Sequence, residues 1–226
     1  MRKLVTLALG ALVFVPAAAR AQGGMEKDPT KSVAGGGVKV SGWQARLDPR
    51  DAGMGMKVEQ LKFEEMGGGF HITGGPHAIY WNPANTAKGN YTFGATMTKT
   101  AATEHPESYG IFIGGSNLDA DNQSYLYCVV FGNGTFSVIH RAGAETHQVV
   151  QRQANDAVSK ASEKGTAKDA IAFTVTSDKV ACSINDKEVW SAPKTGMVSN
   201  TDGIYGLRAS HNLSIHVSDF KLRPGK

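Results

Sequence analysis

Gly203-Ile204-Tyr205-Gly206-Leu207-Arg208-Ala209, a short loop, and Leu213-Ser214-Ile215-His216-Val217-Ser218-Asp219-Phe220 bring the chain towards its end. Leu213, Ile215 and Val217 recur every second residue, the period of a half-buried strand. The same pattern extends upstream. Ala170–Thr176 and Lys179–Ile184 flank Ser177-Asp178. A two-residue loop there sets Val175 against Val180, Phe173 against Cys182 and Ile171 against Ile184. One face is then wholly apolar, and the other carries Ala172, Thr174, Ala181 and Ser183. Ser124–Gly132 and Thr135–Arg141 flank Asn133-Gly134, a pair that favours a two-residue type I′ turn. That turn sets Gly132 against Thr135, Phe131 against Phe136 and Val129 against Val138, and it turns Cys128 to the other face. The expected fold class is all-β, an antiparallel two-sheet β-sandwich.

Earlier segments agree. Val58–Phe63 and Phe70–Thr73 read as a hairpin around Gly67-Gly68-Gly69. Ala78-Ile79-Tyr80-Trp81 reads as a short strand stopped by Asn82-Pro83. Asn90–Thr98 and Tyr109–Ile113 alternate as strands. Residues 142–169 are polar and read as a long connection between sheets, with a short surface helix over Asn155–Lys164.

The N-terminus has its own pattern. Arg2 and Lys3 precede an apolar run, Leu4–Val15, and Ala19-Arg20-Ala21 supplies a small-x-small cleavage site. A bilayer span needs about 20 apolar residues, so residues 1–21 read as a cleaved signal peptide rather than an anchor. The chain is expected to be exported, periplasmic or secreted, with no membrane insertion after cleavage. Residues 22–41 are Gly-rich and polar, a flexible leader, and the β-sandwich domain runs from 42 to 226. The chain has 24 basic and 20 acidic residues. Cleavage removes Arg2, Lys3 and Arg20 and no acid, leaving 21 against 20. No basic block remains to suggest nucleic acid.

Export permits a disulfide between the two cysteines, Cys128 and Cys182. The registers above weigh against it, because they put Cys182 on a core face and Cys128 away from the most apolar pairs of its hairpin. A disulfide and two buried thiols both stay open.

Several segments resemble the concanavalin A-like jelly-roll superfamily of lectins, glucanases and laminin-G-like modules. They are Tyr109-Gly110-Ile111-Phe112-Ile113-Gly114-Gly115, Val180–Val189 with its Asn185-Asp186 turn, and Gly203–Arg208. Gly75-Pro76-His77-Ala78-Ile79-Tyr80-Trp81-Asn82-Pro83 and Tyr125-Leu126-Tyr127 with Asn133-Gly134 are most similar to exported bacterial domains related to the 3-keto-disaccharide hydrolase group. The resemblance implies a jelly roll and an oligosaccharide or glycan partner. Laminarinase-type members carry a Glu-x-Asp-x-x-Glu strand. Here Glu64-Glu65 and Glu104-x-x-Glu107 do not match it, which argues against retaining hydrolysis of that type.

Trp81 and Tyr80 are candidate stacking platforms for a sugar ring, with Asn82 as a hydrogen-bonding neighbour. Arg208 alternates with Leu207, so it points away from Leu207's core face and can fork onto a hydroxyl or carboxylate. His211 and Asn212 follow it in the last loop, and His77 borders the Gly-Gly-Pro turn. No histidine pair has the local spacing of a zinc site. Asp119 and Asp121 are candidate calcium ligands in a polar loop; no other cofactor is expected. The resemblance, together with these aromatic candidates, implies a carbohydrate-binding module without catalysis. The alternatives are a glycoside or keto-sugar hydrolase using His77, Glu107 or Asp119, and a structural or protein-interaction module.

Overall fold

A computed structural model describes residues 28–225. The expected signal peptide at 1–21 and the start of the leader lie outside the described residues. Two sheets form a β-sandwich of jelly-roll type. The seven-stranded sheet runs β10 (Glu145–Ala154), β9 (Thr135–Ala142), β8 (Ser124–Phe131), β7 (Ser108–Ser116), β14 (Gly203–Ala209), β5 (Ala78–Ala87), β2 (Gln44–Leu47). The eight-stranded sheet runs β1 (Gly37–Val38), β3 (Lys62–Met66), β4 (Gly69–Thr73), β15 (Ser214–Pro224), β6 (Tyr91–Lys99), β11 (Ala167–Val175), β12 (Lys179–Ile184), β13 (Lys187–Pro193). Among the described residues, every strand pairing is antiparallel except β1 with β3. One short helix, α1 (Pro49–Gly53), follows β2.

The core fills the space between the sheets. Tyr80, Tyr109, Ile111, Cys128, Val130, Phe136 and Leu207 meet Phe63, Phe93, Ile171, Phe173, Cys182 and Ile215 there. Trp43, Phe63, Phe70 and Phe220 stack at one end with ring centroids 4.7–5.8 Å apart. Such tilted and edge-on pairs add to burial because the ring edge is positive and the face negative. No helix among the described residues is long and apolar enough to cross a membrane.

The β11–β12 hairpin has the expected register, with Phe173 opposite Cys182. The β8–β9 hairpin is shifted by one. Phe131 faces Thr135, Val130 faces Phe136 and Cys128 faces Val138. The loop holds three residues, Gly132-Asn133-Gly134, and closes on a bond from the Gly134 N–H to the Phe131 carbonyl at 3.1 Å. Gly134 takes φ +82°, the left-handed position of a three-residue loop. The segment after β10 secures this geometry: the Gly132 carbonyl accepts the Ala161 N–H at 2.7 Å and the Gly134 carbonyl accepts that of Asn155 at 3.1 Å. Because side chains alternate, one residue of slip exchanges the faces of the strand. Cys128 therefore points into the core and is joined to Cys182. The disulfide links β8 of one sheet to β12 of the other.

Three further differences have local causes. Glu145–Ala154 is a strand at the edge of its sheet, mostly exposed on both sides, so it carries no apolar alternation to read. Asn155–Lys164 forms turns rather than the expected helix; the fully buried Asp169 holds this stretch by accepting the Ser159 N–H at 2.8 Å. β5 continues past Asn82-Pro83 to Ala87 because residues 82–85 bulge away from β14, which spares Pro83 a ladder bond. The fold also begins before residue 42: Asp28 and Val40 are buried and β1 pairs with β3.

Candidate functional site

Strand ends converge at one end of the seven-stranded sheet. His77 immediately precedes β5, Glu107 precedes β7, His211 follows β14, and Asp48 follows β2. The Asp48 N–H donates to the His77 carbonyl at 2.9 Å, which docks the start of α1 beside β5. Asp51, in α1, accepts both the His77 backbone N–H at 2.7 Å and its Nδ1 at 2.9 Å. These bonds set the imidazole's direction.

The floor of the site lies on the face of the sheet turned away from the core. Gly206 leaves room for the Phe112 ring, which a Cβ there would meet at 2.7 Å. Ile79, Trp81, Phe112, Leu118, Tyr125, Tyr127 and Val129 form a second apolar cluster on this face. Arg208 and Arg141 lie with it, each 4% exposed. Both converge on Asp48: Arg208 Nη2 is 2.6 Å and Arg141 Nη2 3.1 Å from Asp48 Oδ2. Arg208 Cζ is 5.7 Å from the centre of the Tyr127 ring.

Burial alone would raise the Asp48 pKa, but the two guanidinium groups outweigh it and hold the carboxyl below its usual range. Burial pushes Tyr127 up to about 12 and raises Tyr125, so both phenols stay protonated at neutral pH. Two charges of one sign share one carboxylate. Arg208 Nε and Nη1 and Arg141 Nε are buried without a hydrogen-bond partner among the described residues. Buried donors of this kind are costly when unpaired.

Beside this floor stands a more open group. His77 and His211 rings lie 5.1 Å apart, and His211 is 3.3 Å from Glu107 and 3.5 Å from Asp28. The neighbouring Glu107 carboxylate outweighs burial and raises the His211 pKa. The His77 side chain keeps 29% of its exposure and those of His211 and Glu107 13% each, so this group forms the mouth.

The residues singled out from sequence fall into three sets. His77, Arg208 and His211 come together here. Asn212 lies alongside, but its side chain is occupied: it donates to Asp28 Oδ1 at 2.9 Å and the Pro29 carbonyl at 3.1 Å, and accepts the Lys31 N–H at 2.8 Å. It tethers the N-terminal segment across the site. Tyr80 is fully buried between the sheets and presents no ring to solvent. Trp81 is on the site's face but packed in the apolar cluster at 3% exposure. Asn82 caps the Ala84 N–H at 2.9 Å.

Asp119 and Asp121 are exposed, and Asp121 is paired with Arg46 at 2.9 Å. Neither belongs to a cluster of three ligating groups among the described residues. Asp48, Asp51, Arg141 and Tyr125 carried no sequence signal as site residues. Arg141 could not, because the expected β8–β9 register placed it on the other face from Tyr127.

No protein-family model and no curated relative matches the chain. Solved structures do. The carbohydrate-binding module CBM66 from Bacillus subtilis aligns with TM-score 0.58 at 9% identity, over 83% of this chain and 99% of that one. A glycoside hydrolase family 16 endo-glucanase from Bacteroides ovatus gives 0.52 at 9%, over 77% and 92%. The metal-free Emp46p carbohydrate recognition domain gives 0.52 at 10%, over 80% and 87%. At these identities the likeness is one of fold. The protein has the concanavalin A-like jelly-roll fold of lectins and glucanases.

Proposed function

We propose that the protein is an exported carbohydrate-binding module without catalysis, and that Arg208 is its central recognition residue. The observation that carries this reading is the pair of buried, unpartnered guanidinium nitrogens on Arg208, set beside the Tyr127 ring. Unpaired donors call for acceptors; Nη2 is held by Asp48, so Nε and Nη1 each take a separate oxygen, which neighbouring sugar hydroxyls or uronate oxygens supply. Tyr125 and Tyr127 pack in the floor with Trp81, so they support Arg208 from below rather than stack a sugar ring. Fold neighbours that bind or cleave glycans support the same class of ligand. The basic, apolar and small-x-small order of residues 1–21 supports export, and so does the inter-sheet disulfide.

The test is calorimetric titration and thermal unfolding of the full chain against neutral and uronic oligosaccharides. One glycan class should bind and raise the midpoint by mass action. Arg208→Lys keeps the charge but loses these two donors, so it should weaken that binding by at least about tenfold, an expected loss near 1.4 kcal/mol. Failure of every glycan to bind at millimolar concentration overturns the reading. His77, His211 and Glu107 at the mouth favour a second reading, a hydrolase with these groups as acid and base. Product analysis on the bound glycan decides between the two: turnover lost in His77→Ala supports the hydrolase.

A further inference from the structure

The mouth of the site has a donor set that sugar recognition does not require. His77, Glu107 and His211 each offer one ligating atom, and all three atoms lie within 4.8 Å of one another. In a tetrahedral site with bonds of about 2.0–2.1 Å, neighbouring ligand atoms stand about 3.3 Å apart. Small side-chain rotations close that difference, and the partial exposure of all three leaves room for them.

A carboxylate stands behind one of these imidazoles, as it commonly does behind a metal-binding histidine. The buried Asp51 carboxylate sits 2.9 Å from His77 Nδ1 and also accepts that residue's backbone N–H. The proton is thereby assigned to Nδ1, and the Nε2 lone pair is free to ligate. A carboxylate behind a ligating imidazole fixes its tautomer and raises its basicity. His211 Nδ1 lies 3.3 Å from Glu107 Oε1 and is buried without a hydrogen-bond partner among the described residues. Asp28 Oδ2, 3.5 Å from the other nitrogen of the same ring, is likewise buried and unpartnered. Three carboxylates thus surround two imidazoles, and two of the polar atoms among them lack bonds.

We propose that His77, His211 and Glu107 bind a divalent cation of the zinc class, with Asp51 holding His77 in its ligating orientation. Two imidazoles and one carboxylate suit zinc, and three protein ligands leave a fourth position open to water or to a ligand oxygen. Calcium prefers six to eight oxygens and does not suit this set. The three ligands precede β5, precede β7 and follow β14, so the ion would cross-link three neighbouring strand ends.

The test uses the full chain, purified without a histidine tag, stripped with chelator and dialysed against zinc in the absence of sugar. Elemental analysis and calorimetry should find one equivalent of zinc, and cobalt in its place should show the visible absorption of a four-coordinate site. His77→Ala, His211→Ala and Glu107→Gln should each remove that equivalent. Asp51→Asn should weaken binding about 10- to 100-fold. The double variant His71→Ala/His216→Ala, at a separate histidine pair with rings 6.3 Å apart, should bind as the parent does. Unfolding in chelator identifies variants that fail to fold, and the cobalt spectrum of the parent tests the site independently of any variant. Absence of stoichiometric zinc, or its undiminished binding by folded His77→Ala and His211→Ala, overturns the proposal. Because no sugar is present, either result leaves the glycan reading to its own experiment.

Discussion

Reduction of the Cys128–Cys182 disulfide is the most direct probe of how the two sheets are held together. The bond joins positions 54 residues apart, across the sandwich, with both sulfur-bearing side chains fully buried. Cross-linking restricts the unfolded chain by an entropy that grows with the logarithm of loop length. For a loop of this size it amounts to about 14 cal/mol/K, or about 4 kcal/mol at 25 °C. The folded state should change little, since a buried free cysteine packs as a small apolar side chain. For a domain near 200 residues, 4 kcal/mol corresponds to a fall of roughly 8–16 °C in the unfolding midpoint. The assay is urea and thermal unfolding of the same protein, oxidised and after reduction in denaturant followed by refolding in reductant, with thiol titration to verify both states. Reduction is preferable to substitution because it creates no cavity. A difference below about 1 kcal/mol would refute the reasoning: the cross-link would then not be restraining the unfolded chain.

Asp48→Asn should destabilise the protein by about 3–5 kcal/mol, because two nine-tenths-buried guanidinium groups lose their counter-charge; a change under 1 kcal/mol in denaturant unfolding would show the arginines to be solvated. The folded His211 pKa is raised, so its contribution is complete below the unfolded value of about 6.5 and is lost as pH rises through the folded value. His71 and His140 have pKa values lowered by burial and act in the opposite sense. The measurement is therefore the difference in midpoint between the parent and His211→Asn, which should shrink as pH rises from 6 to 9; a difference that is flat or grows would contradict the sign.

Much of the fold was legible because alternation is a local signal. The β11–β12 pairing follows from Ile171, Phe173, Val175 and a two-residue loop, and Leu207 and Arg208 take opposite faces because adjacent strand residues must. Edge strand β10 was not legible, since a strand exposed on both sides has no apolar period. The site was partly legible: Arg208, His77 and His211 stood out as residue types, whereas Asp48 and Asp51 look like ordinary helix-start acids until α1 docks on the His77 carbonyl.

The sequence by itself determined the sandwich, the apolar face of the β11–β12 hairpin and the outward turn of Arg208, all of which depend on neighbours one or two residues away. Only the tertiary structure decided the loop between β8 and β9. There the segment after β10 bonds to Gly132 and Gly134 and selects three loop residues over two. That single residue of register sends Cys128 inward to Cys182 and brings Arg141 beside Asp48 and Arg208. Disulfide and site floor thus share one cause, the choice of a three-residue loop, which is secured by contacts with a distant part of the chain.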